Sequence, residues 1–336
     1  VIDLLEVKQV RLFAVLLCVL FALGLAGCRG DDDDLIESLA LNQQPQVSPS
    51  PRVGAEFQAV VTQLASQGLR LKEALEASLD GTSRHLAAIF ESEKPKQPNE
   101  AYELRIIESG TGAARTIFRR AEFFFTFDAR ELGKINGSDI NGDGIKEVIA
   151  QSSSGGNCWS CNPVEIYRVR DHRAELIAAG PIQKITDLNG DGLQELIVMD
   201  SRWESYGDLS HAASPAAAMI YSWQNGRYVY SSRDYPVFYK SELARLREQA
   251  EQARGDITTE DYSDEQYVGL AISIAMTRAH AGEAEEGLKE MGAMFAASAQ
   301  SAAQKTRRAQ IMDDFLKGES AARLRQMKPG DPLPIN

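Results

Sequence analysis

The chain has 336 residues, enough for about two domains of ordinary size, and sets 36 Lys and Arg against 48 Asp and Glu for a formal net charge of −12. An acidic balance of that size excludes a general nucleic-acid binder, which needs a basic stripe to displace counterions. Hydrophobic content of 43% with 25% charged residues excludes wholesale disorder, and only 4 Cys excludes a disulfide-dense mini-domain.

Residues 12–27, LFAVLLCVLFALGLAG, carry no charge and follow Lys8 and Arg11. A charged stretch before an apolar one has the form of a secretory signal, and this run is shorter than the ~20 apolar residues of a membrane span. It ends Leu25-Ala26-Gly27-Cys28, which resembles the bacterial lipobox. The resemblance implies that residues 1–27 are a signal peptide and that Cys28 is lipidated, anchoring the chain to a membrane of the bacterial cell envelope. Arg29 rather than Asp follows Cys28, which favours the outer membrane in a cell that has two. The four Asp at 31–34 and the polar, Pro-rich stretch at 42–54 make 28–54 a solvated tether.

Residues 55–93 show helical spacing, with Phe57, Val60, Val61 and Leu64, then Leu69, Leu71, Leu75 and Leu79, and predict N-terminal helices. The stretch KPKQPN at 94–99 reads as a second linker. Between about 100 and 239 the period changes to two. Strands are predicted at 102–107, 122–127, 147–151, 164–169, 175–178, 195–200, 218–223 and 228–231. From 240 to 328 helical spacing returns, as four helices. Ser263 with Gln266 is a capping-box pair opening the second, which Gly282 closes. The run AISIAMTRAHAGEAEEGLKEMGAMF resembles half of a tetratricopeptide-type hairpin, with Ala and Gly where helices cross. The fold class is α+β: an antiparallel β domain between N-terminal helices and a C-terminal helical region.

Two segments of the β domain match almost residue for residue, DINGDGIKEVI from Asp139 and DLNGDGLQELI from Asp187. Their separation indicates duplicated structural units. The match extends outward, since Glu165-Ile166-Tyr167-Arg168 recurs as Met219-Ile220-Tyr221-Ser222, and Tyr102-Glu103-Leu104-Arg105 reads as a worn earlier copy. Side-chain oxygens recur at Asp139, Asn141, Asp143 and Glu147, and at Asp187, Asn189, Asp191 and Glu195; the carbonyls of Ile145 and Leu193 can complete each set. Such oxygen-rich curls suit calcium, which takes six to eight oxygens at ~2.4 Å. An EF-hand would carry a bidentate acid at its twelfth position, where Ala150 and Val198 stand here.

The pattern D-x-N-G-D-G-x-x-E before an apolar strand resembles the FG-GAP (VCBS-like) repeat, a family that includes the calcium loops of integrin α-subunit propellers. The resemblance covers residues 101–238 or so. It implies two Ca2+ sites on those ten residues and antiparallel β-blades, here too few for a closed ring, hence a partial β-propeller. A metal-free pair of Asx turns is the plainer alternative.

Cys158 and Cys161 flank Trp159-Ser160, and a local disulfide is the expected state in an extracytoplasmic protein. His85, His172, His211 and His280 are too far apart in sequence to form a local metal motif. No metalloprotease, nucleophile-elbow or phosphate-loop motif occurs. The segment from Trp203 to Asp208 reads as an exposed rim that could meet a partner. The sequence therefore points to a calcium-binding, lipid-anchored envelope protein, a non-enzymatic binding or structural module. The alternatives are a secreted hydrolase with an accessory FG-GAP-like part, and an envelope assembly factor that meets a protein partner through the β domain or the C-terminal helices.

Overall fold

A computed structural model describes residues 51–110, 112–129, 132–326 and 328–334. The signal segment, Cys28 and the tether up to residue 50 lie outside the described residues. Helix α1 (Ala55–Ser66) buries Phe57 and Leu64, two turns apart on one face. Gly68, at φ +83°, ends it with a left-handed turn that a side chain would resist.

The chain then lays down three antiparallel sheets in succession, each of four strands in chain order. The first contains β1 (Leu69–Ala77), β2 (His85–Ser92), β3 (Tyr102–Glu108) and β4 (Arg115–Glu122). The second contains β5 (Phe124–Thr126), β6 (Glu147–Ser153), β7 (Val164–Arg170) and β8 (Arg173–Gly180). The third contains β9 (Ile182–Thr186), β10 (Glu195–Met199), β11 (Ala218–Gln224) and β12 (Arg227–Tyr230).

This corrects the reading of 55–93 as helical. The helix stops at Ser66, residues 69–77 and 85–92 are strands, and 94–99 is a loop between β2 and β3 within one sheet. The β region therefore begins at 69 rather than 100. A bulge between Leu71 and Glu73 shifts the register of β1, so Leu69 and Leu71 serve one core and Leu75 the other. Strand β2 is buried at six successive positions, from His85 to Phe90, and shows no alternation either.

The middle sheet is covered on both faces. Val148, Ala150 and Tyr167 pack with Ile89, Leu104 and Ile106 of the first sheet. Ile149 and Ile166 point the other way, into a cluster with Leu196, Val198 and Tyr221 of the third. Successive residues of one strand thus serve two cores, as the pleat requires.

Five helices follow: α2 (Pro236–Gly255), α3 (Glu265–His280), α4 (Ala284–Ser298), α5 (Ala302–Lys317) and α6 (Glu319–Gln326). With α1 there are six α-helices among the described residues, and the α+β class is what the structure has. No helix among the described residues is long and apolar enough to cross a membrane. Gly269 and Gly287 lie where an added Cβ would come within 2.0 Å of the Ala213 carbonyl oxygen and 2.7 Å of the Ala275 carbonyl oxygen, so neighbouring backbone occupies the space of a side chain.

The expected capping box at Ser263 does not form. The Ser263 hydroxyl instead donates to the Thr258 and Glu260 carbonyls. The position before α3 is Asp264, fully buried and ion-paired with Arg307 and Arg308 of α5. A capping box is present at Ser301 and Gln304, opening α5. The last of the four expected helices is instead two, α5 and α6, separated at Gly318, whose backbone is extended.

Candidate metal centre

The two Asp-Asn-Asp loops occupy the same place in successive sheets, between the first and second strands, and they fold alike. Asp139 accepts from the Gly142 N–H at 2.8 Å and the Gly144 N–H at 2.9 Å. Asp187 accepts from the Gly190 N–H at 2.7 Å and the Gly192 N–H at 2.9 Å. Asn141 and Asn189 accept from the Asp143 and Asp191 N–H groups, both at 3.0 Å. Asp143 and Asp191 accept from the Ile145 and Leu193 N–H groups at 3.0 and 2.8 Å. Glu147 and Glu195, the first residues of β6 and β10, reach back to the Ile140 and Leu188 N–H groups at 2.9 and 2.8 Å. The curl needs positive φ at Gly142 and Gly144 (73° and 82°) and at Gly190 and Gly192 (79° and 88°), where glycine is nearly strain-free.

The loops also touch. The Gln194 N–H donates to the Ile140 carbonyl at 2.8 Å. Leu193 covers Gly142 so closely that an added Cβ would lie 2.5 Å from its Cδ2. Leu193 is thus a packing residue between the loops.

In the first loop, one carboxylate oxygen each from Asp139, Asp143 and Glu147 lie within 4.8 Å of one another. Glu147 is fully buried. That burial, reinforced by Asp143 and Asp139, pushes its pKa up to about 8 despite the bond from Ile140. Burial also pushes up Glu195, with Asp191 and Asp187 adding to it. The Tyr228 hydroxyl is buried without a hydrogen-bond partner. Its acidity is lowered by burial first and then by the carboxylates of Glu147, Glu195, Asp139 and Asp143.

The loops differ in two respects. Arg168 of β7 pairs with Asp143 at 2.9 Å and with Glu175 at 2.9 Å. In the second loop the free Asp191 oxygen is met at 2.9 Å by the Asn189 amide. The Asn141 amide instead donates to Glu147 at 2.9 Å.

Cys158 and Cys161 are joined by a disulfide with Cα atoms 4.9 Å apart. It sits in the β6–β7 loop, where the Trp159 N–H donates to Glu204 at 2.8 Å. The rim expected from Trp203 to Asp208 is exposed at Ser205, Gly207 and Asp208, but Trp203 is not part of it. Trp203 is fully buried and stacks on Phe315 with ring centres 5.2 Å apart. Its Nε1–H donates to Asp200 at 3.0 Å.

Two groupings have no sequence signature. Asp200, fully buried, meets Arg202 at 2.6 Å and His280 at 3.3 Å, and His280 in turn meets the Tyr230 hydroxyl at 2.8 Å. Asp200 and Arg202 also line a cavity of about 240 Å³ with Val198, Met219 and Tyr221 of the third sheet and Glu165 of the second. The other grouping joins His85 and His172, distant in sequence, at Glu108. No protein-family model matches the chain, and no curated protein matches it.

Proposed function

We propose that this is a calcium-binding, lipid-anchored envelope protein whose three sheets are FG-GAP-like blades acting as a binding or structural platform. The observation that carries the calcium reading is the pair of loops with matching hydrogen bonds, docked on each other and lined by carboxylates. The donor set fits. Asp139, Asn141, Asp143 and Glu147 would hold one ion with the Ile145 carbonyl, and Asp187, Asn189, Asp191 and Glu195 the other with that of Leu193. All are hard oxygen donors on a flexible curl, which favours calcium over the stricter octahedron of magnesium. Asp139, Asp143 and Glu147 crowd their carboxylates together, a repulsion that a bound cation would relieve.

Three successive four-stranded sheets support the blade reading, and they fall short of the four or more blades of a closed propeller. Bound cations would tie each inter-strand loop to the strand that follows it, so rigidity of the platform, rather than turnover, depends on them. The lipobox-like Leu25 to Cys28 supports attachment to an envelope membrane. The sheets and the C-terminal helices then offer surface to a protein partner.

Isothermal titration with calcium tests the reading. Two sites are expected, with Asp143→Asn weakening one and Asp191→Asn the other. Absence of binding at millimolar calcium, or binding indifferent to both variants, would overturn it.

A further inference from the structure

The cavity of about 240 Å³ between the second and third sheets has mostly apolar walls. Pro163 precedes β7, Pro181 joins β8 to β9, Val198 belongs to β10 and Met219 to β11. Leu333 closes it from the end of the chain. The Leu333 N–H donates to the Tyr228 carbonyl at 3.0 Å, and the Asp331 carbonyl accepts from the Tyr230 N–H at 2.7 Å, so this last segment is strapped along β12. At ~30 Å³ per water the space equals about eight waters, far more than the small voids that close packing leaves.

Two buried carboxylates stand in the wall, and both are saturated with donors. Glu165 accepts from Ser152 Oγ at 2.6 Å, from Arg120 Nη1 at 2.8 Å and from the Tyr167 hydroxyl. Asp200 accepts from Arg202 Nε at 2.7 Å, from Arg202 Nη2 at 2.6 Å and from Trp203 Nε1 at 3.0 Å, and faces His280 Nε2 at 3.3 Å.

The unused capacity is all on the donor side. A guanidinium carries five N–H groups. Those of Arg202 engage Asp200 and, through Nη1 at 3.3 Å, the Arg323 carbonyl, which leaves others free. Arg120 engages Glu165, Tyr167 and Glu122 through Nη1 and Nη2, which leaves Nε. The Arg120 and Arg202 side chains are 35% and 27% exposed, which places them at the opening. Tyr221 is fully buried on the wall, and its hydroxyl meets Met219 Sδ at 3.8 Å, a weak acceptor. Burial raises the Tyr221 pKa, so the hydroxyl stays protonated and able to donate.

We propose that this cavity binds a small carboxylate with a hydrocarbon body, a medium-chain fatty carboxylate being the form that suits its size and lining. The chain lies against Val198, Met219 and Leu333, where it leaves water. The head takes the spare N–H groups of Arg120 and Arg202, whose planar forks match a carboxylate. Glu165 and Asp200 hold those forks in place, and the Tyr221 hydroxyl gains a better acceptor than sulfur. An ammonium head finds no free carboxylate. The site uses none of the calcium-loop residues, so it stands apart from them.

The test is calorimetric titration with octanoate, and with octylammonium as a similar chain bearing the opposite head. One equivalent of octanoate is expected, with octylammonium at least about tenfold weaker. Ala179 of β8 also lines the cavity, and Ala179→Leu fills part of it. That variant should weaken octanoate about tenfold or more, as one surplus methylene does in an apolar pocket. Arg120→Lys keeps a charge beside Glu165 but loses the fork, and should weaken octanoate several-fold. Absence of octanoate binding by the parent at millimolar concentration, equal affinity for the two heads, or equal octanoate affinity in the parent and Ala179→Leu would overturn the proposal. If Ala179→Leu fails to fold, the comparison of heads and the Arg120→Lys variant still decide it.

Discussion

Glu147 is the residue whose replacement should separate metal binding from folding. Its carboxyl is fully buried beside Asp139 and Asp143, and its pKa rises from 4.5 to about 8 in the folded, metal-free protein. A carboxyl whose pKa is higher folded than unfolded holds its proton more tightly when folded. Its contribution to stability is full below the unfolded value and is lost as pH rises toward about 8. At 1.36 kcal/mol per pH unit the gap corresponds to a ceiling of about 4–5 kcal/mol. Glu147→Gln removes that charge cost. It also leaves one of the bonds from Ile140 and Asn141 poorly matched, a loss of about 1–2 kcal/mol. In chelator at about pH 8 the variant should therefore be more stable than the parent by roughly 2 kcal/mol, with the gain vanishing near pH 5. Urea unfolding followed by Trp fluorescence at both pH values measures it. The same variant should lose most of any stabilisation by calcium at the first loop. A variant no more stable than the parent at the higher pH would refute the placing of Glu147 as a buried, strained carboxylate.

Three further outcomes follow from the packing. Gly142→Ala places a Cβ 2.5 Å from Leu193 at φ +73° and should cost about 1–3 kcal/mol in urea unfolding. Adding Leu193→Ala should recover the steric part of that loss but not the backbone part, as a double-mutant cycle would show. Asp200→Asn leaves Arg202 unpaired beside a buried site and should cost about 3–5 kcal/mol near neutral pH. Although burial opposes it, the bonds from Arg202 and His280 hold the Asp200 pKa well below the ordinary 3.8. Its stabilisation is therefore present above that value and lost as pH falls below it, so the variant's stability should depend less steeply on pH in acid.

The strands around the two loops were legible because their sequence carries a period of two, ended by Gly, Asn and Asp. Strands β6, β7, β10, β11 and β12 fall where that pattern places them. In the first sheet β3 was legible too, at 102–107, but β1 and β2 were not, because their signals are ambiguous at the level of residues. Leu71, Leu75 and Leu79 recur at four-residue steps as in a helix, and β2 has no polar residue between Leu86 and Phe90 to mark its pleat. Short β9 lacked both length and punctuation before its loop. The segment Tyr102 to Arg105 does lie on the third strand of its sheet, as the segments at Glu165 and Met219 do on theirs. The pairing register, however, equates Arg168 with Glu108, so the corresponding stretch is 105–108. The two loops were readable as a repeat because their oxygen-bearing side chains recur locally in sequence. His85 with His172, and Asp200 with His280, were not, because each pair is assembled only when separate elements pack. Trp203 looked exposed because it follows a strand in a polar segment, and only the stacking on Phe315 of α5 reveals it as core.

The most direct test is thermal melting of the protein in calcium and in chelator, for the parent and for the Asp143→Asn, Asp191→Asn double variant. Ligation restricted to the folded state predicts a rise in melting temperature with calcium, growing with its concentration, and its loss in the double variant. At calcium about 100-fold above the dissociation constant, each filled site should add about 2.7 kcal/mol. An unchanged melting temperature in the parent, or a shift that survives in the double variant, would contradict the assignment of cations to these two loops.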